Sequence, residues 1–134
     1  MRLTAAQIEQ IVEHALRDAP NECCGIVSVS AEGEATEVFE YENLAASPLR
    51  FEISGKALIT LLNEIEDAGE ELGAIYHSHT RSAPYPSQTD INFAANWPGV
   101  EWIIVGTAGE EPLTQSYLIE DGTVREVPVE LAVG

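Results

Sequence analysis

Residues 76–90 read YHSHTRSAPYPSQTD and hold two of the chain's three histidines. The stretch before them, LGAIYHSH (72–79), has the apolar run of a buried strand. On a strand, residues i and i+2 face the same side. His77 and His79 would therefore project two imidazoles in one direction from the strand's C-terminal end. Pro84 and Pro86 hold the next residues as a loop. Ser87 then opens a short helix that runs to about Trp97, with Asp90 at capping-box spacing.

Two imidazoles on one strand face can bind a borderline metal such as Zn²⁺, at ~2.0–2.1 Å for each nitrogen. Catalytic zinc commonly takes three protein ligands and a water. Asp90 is the candidate third ligand, because the proline-held loop can return the chain to the strand end. A metal-free reading stands beside this one. The histidines can be a polar strand end, and Ser87-x-x-Asp90 can be a helix cap and nothing more. Hydrolysis at such a site also needs a general base. Glu22, in PNECCG just before an apolar strand, is the best candidate, against the plain reading of an exposed loop carboxylate.

Outward from this stretch, a helix spans Thr4 to Asp18, with Thr4 and Gln7 at capping-box spacing and an apolar stripe of Ile8, Ile11, Val12, Ala15 and Leu16. His14 lies beside that stripe and is expected to be partly buried. Cys24–Ser30 and Ala35–Tyr41 form a candidate hairpin around AEGE. Asn43–Arg50 is a loop, and Ser54 caps a second helix, Gly55 to Ala68. Glu101–Gly106, Leu113–Glu120 and Thr123–Glu130 read as strands, the last two joined by Asp121-Gly122, a strong hairpin signal. The order α-β-β-α-β-α-β-β-β implies an α/β fold, a mixed β-sheet flanked by helices, in a single domain over residues 1–134. Ser78 alternates with the histidines and is expected to be structural. Trp97 and Trp102 read as core or rim. Thr80, Arg81, Ser82 and Tyr85 lie on the loop beside the histidines. Arg81 is either a cation able to meet a substrate carboxylate or a solvated loop arginine.

With 45% apolar residues the composition is that of a globular protein. Net charge is −17, and the cations are Lys56 and five arginines. So few cations cannot assemble a basic patch, which argues against nucleic acid and against anionic membranes as partners. No apolar run approaches the ~18 residues of a membrane span. The start, MRLTAAQIEQ, lacks a secretory h-region. Cys23 and Cys24 are adjacent and poorly placed to bridge one another. They read as small buried residues of a reduced, cytoplasmic protein.

Taken jointly, His77-Ser78-His79, Ser87, Asp90 and an upstream Glu22 resemble the JAMM (MPN+) zinc metalloprotease motif. PNECCG, ENLAASPLRFEI (42–53) and YPSQTD (85–90) resemble the short prokaryotic members, in the same order along nearly the whole chain. The resemblance implies the cytidine-deaminase-like (JAB1/MPN) fold, with His77, His79 and Asp90 holding Zn²⁺. It makes Glu22 the general base and Ser87 a hydrogen-bond donor to the water or the oxyanion. It implies a peptidase or isopeptidase acting after the C-terminal glycine of a ubiquitin-like or sulfur-carrier protein with a Gly-Gly terminus, and leaves room for a homodimer. The deaminase signature, His-x-Glu with Pro-Cys-x-x-Cys, is absent. Two competing readings are a non-catalytic MPN-type scaffold that has lost its metal and a metallohydrolase of small amides.

Overall fold

The computed structural model describes residues 1–132. Strand β1 (Arg2–Leu3) leads into helix α1 (Ala5–Asp18), then β2 (Cys24–Val29), β3 (Ala35–Tyr41), α2 (Gly55–Asp67), β4 (Glu71–His79), α3 (Gln88–Ala94), β5 (Glu101–Gly106), β6 (Leu113–Glu120), β7 (Thr123–Val127) and β8 (Glu130–Leu131). Six strands form one sheet in the order β3-β2-β4-β5-β6-β7. Within this sheet, among the described residues, only β4 and β5 run parallel. A parallel pair needs a crossover, and residues 80–100, with α3, supply it.

Helix capping follows the sequence. The Thr4 hydroxyl accepts from the Gln7 N–H while the Gln7 side chain accepts from the Thr4 N–H, closing a capping box on α1. Ser54 caps α2 through the Ala57 N–H. The apolar stripe of α1 covers one face of the sheet, where Ile11 and Ala15 pack with Val27, Ala74, Tyr76 and Ile103. The other face splits between α2 and α3. Leu61 and Ile65 lie on Ile26, while Ala94 packs with Ile75, Trp102 and Ile104. Consecutive residues of β4 thus serve opposite layers: Tyr76 belongs to the α1 side and Ile75 to the α2/α3 side, as the pleat requires.

Three expectations need correction. The strand read over Thr123–Glu130 stops at Val127, because Pro128 has no N–H to donate to the ladder. The chain resumes as β8, which pairs in parallel with β1, two residues each, a sheet too short to leave a periodic signal. The third helix ends at Ala94, short of Trp97. Asn96 and Trp97 close tight turns onto Phe93 and Ala94, and Gly99 follows with φ 80°. His14 is not at the margin of its stripe but buried at 3% exposure, with Nδ1 2.7 Å from the Tyr76 hydroxyl and Nε2 3.2 Å from Asp18. Asp18 is an i,i+4 neighbour within α1, but the Tyr76 partner comes from tertiary packing, which spacing along a helix does not reveal.

Candidate metal centre

The end of β4 presents His77 and His79 on the face opposite Tyr76 and Ser78. The crossover loop then delivers the first turn of α3 beside them. Ser87 is the N-cap of α3: its Oγ accepts from the Asp90 N–H at 3.1 Å, and Asp90 Oδ2 accepts from the Ser87 N–H at 2.9 Å. The capping box and the metal reading are therefore compatible, since the cap fixes Asp90 with Oδ2 turned to the histidines. His77 Nε2 is 3.1 Å from His79 Nε2 and 3.1 Å from Asp90 Oδ2, and His79 Nε2 is 3.3 Å from Asp90 Oδ2. All three residues are buried.

This triangle fits a metal. Ligands at ~2.0–2.1 Å in tetrahedral array stand roughly 3.3–3.4 Å apart. Three mutual hydrogen bonds cannot satisfy such a triangle, because each N–H points along one edge only. His79 Nδ1 faces the Ala83 carbonyl at 2.9 Å, so the proton of the neutral ring sits on Nδ1 and Nε2 offers its lone pair. His77 is oriented by packing. Phe51 stacks on its ring at 4.7 Å and Trp102 meets it edge-on at 6.2 Å, while its Nδ1 has no hydrogen-bond partner among the described residues. Burial depresses the basicity of His77. Burial opposes charge on His79 too, but Asp90 and the Ala83 carbonyl outweigh it and raise its pKa. Asp90 is held far below the usual carboxylate range: burial works against its charge, and the two histidines overcome it.

Above the triangle opens a cleft of about 450 Å³. His79, Asp90, Ser87 and Glu22 line it, and Ile26, Phe51, Leu58, Ile75 and Phe93 form an apolar wall. Glu22 is not the exposed loop carboxylate of its plain reading. It is buried at 5% exposure, with its N–H donating to the Ser47 carbonyl and its own carbonyl accepting from the Asn43 side chain. Burial pushes its carboxyl up to about 7; His79 counteracts this and Asp90 adds to it.

The model for prokaryotic homologs of the JAB domain matches residues 4–119. The chain belongs to this family. A CysO-cysteine peptidase of Mycobacterium tuberculosis is 33% identical over 129 residues, covering 95% of this chain and 88% of that one. A desampylase of Haloferax volcanii is 32% identical over 115 residues, covering 81% and 82%. The crystal structure of a JAB1/MPN domain protein from Archaeoglobus fulgidus superposes with a TM-score of 0.66 at 20% identity, covering 99% of this chain and 100% of that one. The mixed sheet flanked by helices is thus the JAB1/MPN fold, and this JAB-family chain is an enzyme of the peptidase and isopeptidase class.

The remaining loop residues sort themselves around the JAB-type cleft. Thr80, Arg81 and Ser82 line it. Tyr85 turns away and packs edge-on against Tyr117 at 5.5 Å. The Ser78 hydroxyl accepts from the Cys23 N–H at 2.8 Å, tying β4 to the entry of β2, a structural role as its alternation implies. Cys23 and Cys24 are free and buried, with thiols pushed up to about 12 by burial, so neither is a nucleophile. Trp102 lies in the core and Trp97 packs at its margin. Sequence reasoning missed Phe51, which holds His77, and Asn43. The Asn43 amide donates to the carbonyls of Glu22 and Arg50, and its oxygen accepts from the Ala45 and Glu52 N–H groups. Both lie in ENLAASPLRFEI, a stretch with no periodicity to mark them.

Proposed function

We propose that the chain is a zinc peptidase that hydrolyses the bond after the C-terminal glycine of a ubiquitin-like or sulfur-carrier protein. His77, His79 and Asp90 hold the metal, Glu22 is the general base and Ser87 the oxyanion donor. The observation that carries the reading is the convergence of three ligand atoms within 3.3 Å of one another, under a cleft that Glu22 and Ser87 also line. The named activities of the relatives, a CysO-cysteine peptidase and a desampylase, support the substrate class.

Bound at the triangle, Zn²⁺ supplies Lewis acidity: it lowers the pKa of an adjacent water and polarises a carbonyl oxygen. The chain's own residues do the rest. Glu22 takes a proton from the attacking water and returns it to the departing amine. Burial in the cleft wall raises the Glu22 carboxyl above the ordinary carboxylate value, which favours its taking up a proton and giving it back. The Ser87 Oγ already accepts from the Asp90 N–H, which leaves its O–H free to donate toward the charge that develops on the glycine carbonyl. The apolar wall excludes water and strengthens these charges. A tail ending in Gly-Gly, lacking side chains at the reacting end, fits a passage beside so buried a site. We propose also that the enzyme works in a reducing cytoplasm, as one domain over residues 1–134; the two free, buried cysteines support the first reading. No helix among the described residues is long and apolar enough to cross a membrane.

The test is cleavage. Zinc-loaded protein is incubated with carrier proteins extended beyond their terminal glycine, and products are weighed by mass spectrometry. Release of the carrier with a free glycine terminus, absent with Glu22→Gln, is the expected result. Free dipeptides turned over as fast as carrier conjugates would contradict it and favour a small-amide hydrolase.

A further inference from the structure

The crossover loop between β4 and α3 is pinned on both sides of Arg81. The Thr80 hydroxyl donates to the Pro20 carbonyl at 2.8 Å, the Ala83 carbonyl accepts from His79, and the Pro84 carbonyl accepts from the Tyr117 hydroxyl. Pro84 also lies against Gly106 so closely that a Cβ there would come within 2.7 Å of its ring. Arg81 therefore hangs from a fixed stretch of backbone at the wall of the cleft, beside His79, Ser87 and Asp90.

Its charge is conspicuous in this chain. There are 23 acidic residues and six cations. Arg2 is paired with Glu34 and Arg17 with Glu40, while Arg50, which also lines the cleft, has Glu52 of the same wall at 4.0 Å as its counter-charge. Lys56 and Arg125 lie away from the cleft, on α2 and β7. Among the described residues Arg81 has no carboxylate within ion-pair distance, although acids outnumber cations almost four to one. An unneutralised guanidinium at the cleft wall marks a place for an anion brought by the substrate. The planar fork of arginine suits a carboxylate, which it can hold by two parallel hydrogen bonds.

Hydrolysis breaks the glycine C–N bond, adding the hydroxyl of water to the carbonyl and a proton to the departing nitrogen. Where the departing group is an α-amino acid, its carboxylate is two bonds from that nitrogen and so enters the cleft with it. Where the departing group is a lysine side chain of a protein, no such carboxylate is present. We propose that Arg81 receives the α-carboxylate of the leaving residue and selects carrier proteins joined to a free amino acid over those joined to a protein lysine. This deepens the peptidase reading and rests on it.

The test uses one carrier protein with an added C-terminal amino acid, made as the free acid and as the α-carboxamide, and the zinc-loaded full chain. Wild type is expected to prefer the acid by at least about tenfold in kcat/KM, expressed in KM. Arg81→Gln brings the acid down to the level of the amide, and Arg81→Lys keeps part of the preference. Binding of both conjugates to Glu22→Gln, with and without Arg81→Gln, shows the same split without turnover. Turnover of acid and amide at equal rates by wild type, or a preference that survives Arg81→Gln, overturns this inference alone. No turnover of either conjugate by wild type overturns the peptidase reading, and this inference with it.

Discussion

Burial pushes the Glu22 carboxyl up to about 7 in the metal-free protein, and a divalent cation beside it would draw it down again by Coulomb attraction. A base must be ionised to act, so kcat/KM falls on the acid side with a midpoint at or below about 7, as a pH–rate profile will read. Glu22→Gln keeps the metal and loses turnover by roughly 10²–10⁴-fold. Full activity in that variant contradicts the general-base role. The same residue has a stability signature. With its folded pKa above the unfolded one, Glu22 favours the folded state below about 4.5, and that contribution is lost as pH rises through about 7. Metal-free Glu22→Gln is therefore more stable than metal-free wild type at pH 8, by on the order of 1–3 kcal/mol in denaturant unfolding. An equal or lower stability contradicts the buried placement of this carboxylate.

At the scale of elements, the first turn of α3 joins folding and chemistry. Ser87→Ala removes an N-cap, at a cost of about 1 kcal/mol, and with it the hydroxyl proposed to meet the oxyanion, at a cost of roughly 10²–10³ in kcat. Ser87→Thr keeps both groups and much of the rate. Thermal melts and kinetics of the two variants separate cap from donor. Strand β2 lies against β4 with Gly25 opposite Tyr76, and a Cβ at Gly25 would come within 2.2 Å of the tyrosine ring. Gly25→Ala must displace the ring that bonds His14, costing about 1–3 kcal/mol or more, and loosens the strand that presents His77. A melting temperature equal to wild type contradicts this packing. Period-2 alternation was enough to put both histidines on one face, and the Ser87-x-x-Asp90 spacing was enough to place the cap. Phe51, Asn43 and the Tyr76 partner of His14 were illegible because their contacts join residues 26 to 62 positions apart, or sit in an aperiodic loop. The β1–β8 pair escaped because two-residue strands leave no period to read.

For the whole molecule, a net charge of −17 means self-repulsion that salt will screen. The melting temperature should rise between 0.01 and 0.5 M NaCl, and a fall contradicts the charge argument. The same field draws a divalent cation toward the buried triangle, and bound metal stabilises the fold by mass action, by about 4 kcal/mol at a thousand times its Kd. Acid competes with it, since proton uptake on His79 removes a lone pair the metal needs. The most direct measurement is the metal content of purified protein, by elemental analysis, in wild type and His79→Ala. About one zinc per wild-type chain, lost in the variant, is the predicted result. No metal in either, even after zinc is supplied, would contradict the metal centre and the hydrolysis built on it.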